Sequence, residues 1–166
     1  MVNFFSRLRH QIPEITMVLV YKSLFVPTYE YGLAVYGFSY PTNLKRIKTI
    51  MNRAVRVITF SEKRSSAGPL YVRLDLKQFS DNLRLNTFKY IFKSLNGLSS
   101  TASAEFFKYK SSRTLRHSDQ RMLELPKIRS NYLKNTIFYN GVKLFNDLPL
   151  VSRMATSFNS FMNSIF

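Results

Sequence analysis

Five cationic side chains lie close together in the sequence between Leu44 and Phe60, and their type and spacing suit the binding of negatively charged groups. They are Lys45, Arg46, Lys48, Arg53 and Arg56. No Asp or Glu occurs between Glu30 and Glu62. A surface that served solubility alone would mix charges of both signs. The run therefore predicts a partner rich in negative charge, and the phosphate backbone of RNA or DNA is the first candidate. The alternative is a solvated helix face.

Further cations follow this run and are predicted to act as accessories. Lys63 and Arg64 come directly after it, and a Ser- and Thr-rich segment downstream carries Lys108, Lys110, Arg113, Arg116 and Arg121. Three aromatic residues, Phe106, Phe107 and Tyr109, alternate with these cations. Such a loop can hold a backbone and stack bases, although its aromatic residues can equally anchor it to the core. No zinc-finger, RRM or KH pattern is present, so sequence-specific recognition is not predicted.

Catalytic patterns are absent from the sequence. There is no cysteine, there are two histidines, and no two of the nine acids are fewer than five residues apart. Phosphate-binding glycine loops and the Gly-x-Ser-x-Gly elbow are also missing. A polymerase or nuclease needs clustered carboxylates to hold two divalent ions. The sequence thus predicts no enzyme by itself, no cofactor, no metal and no small-molecule substrate.

Length and composition predict one folded domain over residues 1–166. The net charge is +16, yet 45% of the residues are hydrophobic and 15% are aromatic, which speaks against a disordered basic tail. The most apolar stretch, Ile15 to Val26, contains Lys22 and is too short for a membrane span. No membrane partner is expected.

Helical periodicity dominates, so we predict a mainly α fold: an irregular bundle of about five to six helices with at most one short strand pair. Residues 14–97 would form the amino-terminal helices, 98–127 a basic loop and 128–166 the carboxyl-terminal helices. At 100° per residue, the 44–60 helix places its apolar residues opposite its cations. We expect helices over 14–26, 28–37, 77–96 and 130–146, and a last one starting near 156. Residues predicted to pack inside are Tyr31, Phe88, Phe92, Phe145 and Leu148.

Particular residues are expected to begin and end these helices. Pro27 should end or kink the first helix, and Thr42 and Asn43 are capping candidates for the basic helix. Gly97 should stop the helix over 77–96. Residues 122–125, ahead of Pro126, are the candidate strand.

The order of several motifs resembles a known family. Tyr21–Pro27 (YKSLFVP), Tyr29–Gly37 (YEYGLAVYG) and Met51–Ile58 (MNRAVRVI) resemble the region after the polymerase core in reverse transcriptases of LINE-type (non-long-terminal-repeat) retrotransposons. The motifs that follow in this chain also resemble those of the family. They are Ser66–Leu70 (SAGPL), Ser112-Arg113-Thr114 and the terminal Gly141–Pro149 (GVKLFNDLP). The resemblance covers residues 15–166. Tyr36 and Phe145 stand where the family commonly has Trp.

The resemblance implies a carboxyl-terminal thumb and post-thumb fragment of an RNA-directed DNA polymerase. In that family the region packs on the polymerase and touches template or target nucleic acid, so a polymerase palm would be a second partner. The palm, with its Tyr-x-Asp-Asp metal-binding motif, and the endonuclease have no counterpart in this sequence. The implied fragment is therefore non-catalytic alone.

Two other interpretations stay open at this point. The chain could be a basic structural subunit of a ribonucleoprotein such as an organellar ribosome, or a non-functional reading frame left by a decaying element. A nuclear or cytoplasmic location is favoured. Arg7 and Arg9, with no acid before Glu14, resemble the start of a mitochondrial presequence and keep that location as an alternative.

Overall fold

Apolar residues recur at helical spacing through most of the sequence, and the computed structural model is mainly helical, which confirms the predicted class. The structure describes residues 2–110 and 121–165. Their contacts form two compact units, Met1–Leu83 and Arg84–Phe166. That these units make up one domain stays a prediction. The helices are shorter and more numerous than expected.

The first unit is built from helices that bury large apolar side chains in one core. Phe5, Tyr21, Leu33, Met51 and Ile58 are all at most 1% exposed there. Its elements are α1 (Val2–Leu8), α2 (Glu14–Val20), the π-helix π1 (Tyr21–Phe25), α3 (Val26–Glu30), α4 (Leu33–Tyr36), α5 (Pro41–Ile58), α6 (Gly68–Arg73) and the start of α7 (Phe79–Leu95).

The expected end of the first helix at Pro27 is wrong. The helical path continues through π1 into α3, with Val26 N–H donating to Tyr21 O and Pro27, which has no N–H, following it directly. The break comes instead at Tyr31 and Gly32, where Gly32 adopts a left-handed φ of 69°. Tyr31 has left the helix at that point and is 89% exposed, so its predicted packing role is also wrong.

The second unit packs short helices around aromatic rings. The rings of Phe92 and Phe161 stack at 4.6 Å, and Phe88, Phe145 and Leu148 are buried. The packing role predicted for Phe88, Phe92, Phe145 and Leu148 is thus confirmed. Besides the end of α7, the helices are α8 (Thr101–Ala104), α9 (Asn131–Lys134), the π-helix π2 (Ile137–Gly141), α10 (Val142–Asn146), α11 (Leu150–Met154) and α12 (Phe158–Ile165).

The predicted helix over 130–146 is interrupted. Thr136 is extended, and the side-chain amide of Asn140 donates to the carbonyl of Lys134 at 2.7 Å, so a local side-chain bond takes the place of the helical one. Gly141 packs against α7, because a Cβ there would lie 3.1 Å from Thr87 Cγ2. Within residues 2–110 and 121–165 no strand forms, and the candidate strand makes one isolated antiparallel bridge, Tyr109 to Leu123.

Candidate nucleic-acid interface

Helix α5 carries the predicted cations, and its apolar face fixes which way they point. The helix begins at Pro41 with Tyr40 as N-cap. The prediction that Thr42 or Asn43 caps it is therefore wrong, since both lie within its first turn. Leu44, Met51, Ala54, Val55 and Ile58 are buried against the core. Because these residues occupy one side of the helix, the cations at the intervening positions must face away from the core.

The α5 cations form two rows along the helix. Residues three and four apart are neighbours on a helix surface. One row therefore consists of Arg46, Thr49 and Arg53, and the other of Lys45, Lys48, Asn52 and Arg56. Lys45, Arg46, Lys48 and Arg53 are exposed, whereas Arg56 is half-buried. Lys48 Nζ lies 5.3 Å from the centroid of the Phe79 ring, which holds this ammonium group at one side of the helix.

A cleft of about 520 Å³ opens beside the first row. We call it the α5 cleft, and its lining consists of Ser6, Arg9, Thr49, Arg53, Arg56, Val57, Ser61 and Lys63. Four cations and three hydroxyls therefore converge from three segments of the chain, with no carboxylate in the lining. Cationic groups and hydroxyl donors are the groups that protein sites use to hold phosphate oxygens.

Two flanking segments give the α5 cleft its walls. Helix α1 packs against α5 and is anchored by Phe5, whose ring lies 6.4 Å from that of Tyr21. This anchor brings Ser6 and Arg9 to the cleft. On the other side, Arg56 Nε donates to the carbonyl of Ser65 at 2.8 Å and ties down the loop that carries Ser61 and Lys63.

Carboxylates do not offset this positive charge. Within the described ranges 2–110 and 121–165, Arg73 forms a salt bridge with Glu14 at 2.8 Å, and no salt bridge is formed by a cation of α5. Glu62 is exposed and does not line the cleft. The electric field of the cations consequently reaches solvent with little local compensation.

Buried phenols lie beneath α5 and stay neutral. Tyr71 Oη donates to Asn52 Oδ1 at 3.2 Å, and burial raises the pKa of Tyr71 to about 12 although the charge of Arg56 acts in the opposite direction. Burial likewise raises the pKa of Tyr21 and Tyr29. Because none of these hydroxyls ionises near neutral pH, they bring no negative charge to the base of the helix.

The other predicted site residues are distributed differently. Lys63 lines the α5 cleft, and Arg64 is exposed in the same loop. Lys110 and Arg121 belong to the second unit, where the backbone N–H of Lys110 donates to Met122 and Arg121 Nη1 donates to the carbonyl of Met154. Arg113 and Arg116, with the Ser112-Arg113-Thr114 motif, lie outside the described residues.

Sequence reasoning missed part of the α5 cleft. The sequence did not predict that Ser6, Arg9, Thr49 and Ser61 join the cations. Ser6, Arg9 and Ser61 come from segments that only the tertiary fold brings to α5. Phe5, a large apolar residue four positions before Arg9, was the sequence signal for the docking of α1, and it is buried in the structure. Nothing in the sequence marked Ser61.

Other kinds of site receive no support in the described part of the chain. Over residues 2–110 and 121–165 no group of three or more His, Asp or Glu side chains could hold a metal ion. No described helix is long and apolar enough to cross a bilayer.

Comparison with known proteins adds no relative. No protein family model, no curated protein and no solved structure matches this chain.

Proposed function

We propose that this protein is a non-catalytic helical module that binds the phosphate backbone of RNA or DNA through the cations of α5 and the α5 cleft. The observation that carries the proposal is the cleft itself, in which four cations and three hydroxyls converge without a carboxylate. Lys45, Arg46 and Lys48 extend the same positive surface towards the amino end of the helix.

Backbone binding fits the chemistry of these groups. Each Lys or Arg that reaches a phosphate releases condensed counterions, so several contacts together give strong binding at low salt and a steep loss as salt rises. Phosphate contacts position a nucleic acid without identifying its bases. The proposed activity is accordingly sequence-tolerant.

We further propose that the chain is the carboxyl-terminal thumb and post-thumb region of a LINE-type reverse transcriptase. The buried Gly141, Phe145 and Leu148 of the terminal motif support a packing role for that motif. Ile15 and Leu19 on α2 are 77% and 60% exposed, and apolar side chains on a helix surface suit contact with another protein, here the proposed polymerase palm.

A charge-reversal experiment tests the proposed function. The triple variant Lys45→Glu, Arg46→Glu, Arg53→Glu changes exposed side chains and leaves the structural bond of Arg56 intact. Its matched control, Lys127→Glu, Arg129→Glu, Lys134→Glu, makes the same change in net charge on exposed residues of the second unit. Affinity for a fluorescein-labelled single strand and duplex is measured by anisotropy at about 100 mM salt.

The α5 triple variant should lose about 100-fold or more in affinity for both probes, since three phosphate contacts are replaced by repulsion. The control should lose no more than about threefold, through its longer-range effect on the field. Circular dichroism of both variants should match the wild type. Equal losses in the two triples would show that binding follows net charge alone and would remove α5 as the interface.

A further inference from the structure

The end of helix α5 has an unusual residue at the edge of the cleft. Ser61 N–H donates to Arg56 O at 3.0 Å and Phe60 N–H donates towards Val57 O at 3.4 Å, which is the hydrogen-bond pattern of a Schellman motif. Phe60 occupies the left-handed position of that motif with a φ of 55°. Glycine is the usual residue there, because a Cβ is strained in this conformation.

Two other helices end with the same motif and use better-suited residues. Asp75 follows α6 with a φ of 49°, and Gly97 follows α7 with a φ of 67°. Asp and Gly both visit the left-handed region readily, whereas Phe does not. Residues held in such strained conformations cluster at functional sites, so Phe60 invites a functional explanation.

The Phe60 ring belongs to a small stacking group at the cleft. Its side chain is 49% exposed despite being a large apolar ring. Arg9 Cζ lies 4.9 Å from the ring centroid, and the His10 ring lies edge-on at 5.5 Å. Arg9 Nε donates to His10 Nε2 at 3.1 Å, which holds the two cleft-side groups together. Since Arg9 and Ser61 both line the α5 cleft, these flat groups lie beside the cations.

We propose that the α5 cleft is a binding site for single-stranded nucleic acid. A backbone phosphate is held among Arg9, Arg53 and Lys63, and an adjacent unpaired base stacks on the group formed by Phe60, Arg9 and His10. This inference rests on the proposed function and deepens it.

The dimensions and chemistry of the site favour a single strand over a duplex. A volume of about 520 Å³ lies in the range of pockets for small molecules, roughly 300–1,000 Å³, so it suits one or two nucleotides. Bases in a duplex are already stacked on each other, whereas an unpaired base offers a face to aromatic rings and guanidinium groups. The strain at Phe60 then serves to present an aromatic ring at a position where a glycine would present nothing.

Oligonucleotide binding to the full chain tests the single-strand site. The probes are labelled oligo(U) RNA, oligo(dT) DNA and a mixed-sequence duplex, each about 12 units long. Phe60→Leu keeps an apolar side chain without a ring, and Phe60→Tyr keeps the ring. Tyr31→Leu removes a more exposed aromatic ring elsewhere in the first unit.

We expect Phe60→Leu to weaken binding of both single strands about tenfold and to leave duplex binding within about twofold. Phe60→Tyr keeps the stacking ring and should recover most of the single-strand affinity that Phe60→Leu loses. Tyr31→Leu should bind all three probes like the wild type. The losses for oligo(U) and oligo(dT) should be similar, because stacking of a base on a ring does not depend on the sugar.

Two results would overturn the single-strand site. One is an equal loss of single-strand and duplex binding in Phe60→Leu, and the other is no loss at all. Either leaves the proposed function intact as long as the α5 triple variant fails to bind. Unchanged binding by that triple variant would instead refute the proposed function, and the single-strand site with it.

Discussion

Helices α5 and α7 are the two longest helices among residues 2–110 and 121–165, and they end in the same way with different residues. At the end of α5 the left-handed position holds Phe60, and at the end of α7 it holds Gly97. Both ends satisfy the last carbonyls by the same pair of backbone hydrogen bonds. The first end lies beside a cationic cleft, whereas a Cβ built on Gly97 would meet nothing within 4 Å.

Backbone stability accounts for the residue at the end of α7, whereas the neighbouring cleft accounts for the residue at the end of α5. Glycine at the end of α7 is what backbone energetics favour. Phenylalanine at the end of α5 costs about 1–2 kcal/mol of backbone strain. The same division runs along the helices, since α5 exposes a cationic face, whereas Leu85, Phe88, Ile91 and Phe92 of α7 are buried.

The largest expected effect comes from single charge reversals on the two helices. Arg53→Glu on α5 should reduce affinity for single-stranded RNA by about tenfold or more, because it replaces a phosphate contact in the cleft by repulsion. Lys93→Glu in the last turn of α7 should reduce it no more than about twofold. Both residues are exposed, and the affinities of the two variants are compared by anisotropy titration at one salt concentration. Equal losses would erase the functional difference between the helices.

The end of α7 should be the more sensitive of the two in stability. Gly97→Ala introduces a Cβ at a φ of 67° and should lower the free energy of unfolding by about 1–2 kcal/mol, measured by urea denaturation. The matched control is Gly68→Ala, where φ is not left-handed and the nearest atom lies 3.9 Å from the new Cβ. That control should instead stabilise by about 0.4–1 kcal/mol. A neutral Gly97→Ala would mean that the strain argument fails at both ends.

The end of α5 should tolerate the opposite change. Phe60→Gly relieves the left-handed strain but loses the contacts with Arg9 and His10, and these contributions offset each other to within about 1 kcal/mol. Urea denaturation should therefore show little change while single-strand affinity falls. A loss of stability above about 2 kcal/mol would identify the Phe60 ring as a packing anchor instead.

The smallest effect at neutral pH concerns the phenols beneath α5. Burial raises the folded pKa of Tyr71 to about 12, above the ordinary tyrosine value of about 10, so stabilisation by the protonated phenol is fully present below about pH 10. That stabilisation is lost as pH rises from about 10 to about 12. Between about pH 10 and pH 12, Tyr71→Phe should therefore lose less free energy of unfolding than the wild type, as measured by unfolding at stepped pH. An identical alkaline profile in the variant would exclude Tyr71 as a source of this dependence.

Sequence reasoning predicted much of the fold where one signal dominated. The period of apolar residues in α5 located both its buried face and its cations, and Gly97 marked a helix end through its conformational freedom. Phe88, Phe92 and Phe145 were identified as core because large aromatic residues at helical spacing need covering.

Other features depended on local hydrogen bonds or on tertiary contacts, and neither is contained in the spacing of apolar residues. The π-helix at Tyr21–Phe25 carries the chain past Pro27, and the bond from Asn140 to Lys134 breaks the 130–146 helix; neither has a periodic signal. Arg9 reaches the cleft because Phe5 is buried. The left-handed Phe60 went unforeseen because the usual rule places glycine there.

The salt dependence of single-strand binding tests the central claim most directly. The slope of log affinity against log salt is about −0.7 per phosphate contact for single strands. If Lys45, Arg46 and Arg53 contact phosphates, the slope of their triple glutamate variant should be shallower than that of the wild type by about 2. The control triple at Lys127, Arg129 and Lys134 should keep the wild-type slope. Parallel lines for the wild type and the α5 variant would contradict the account.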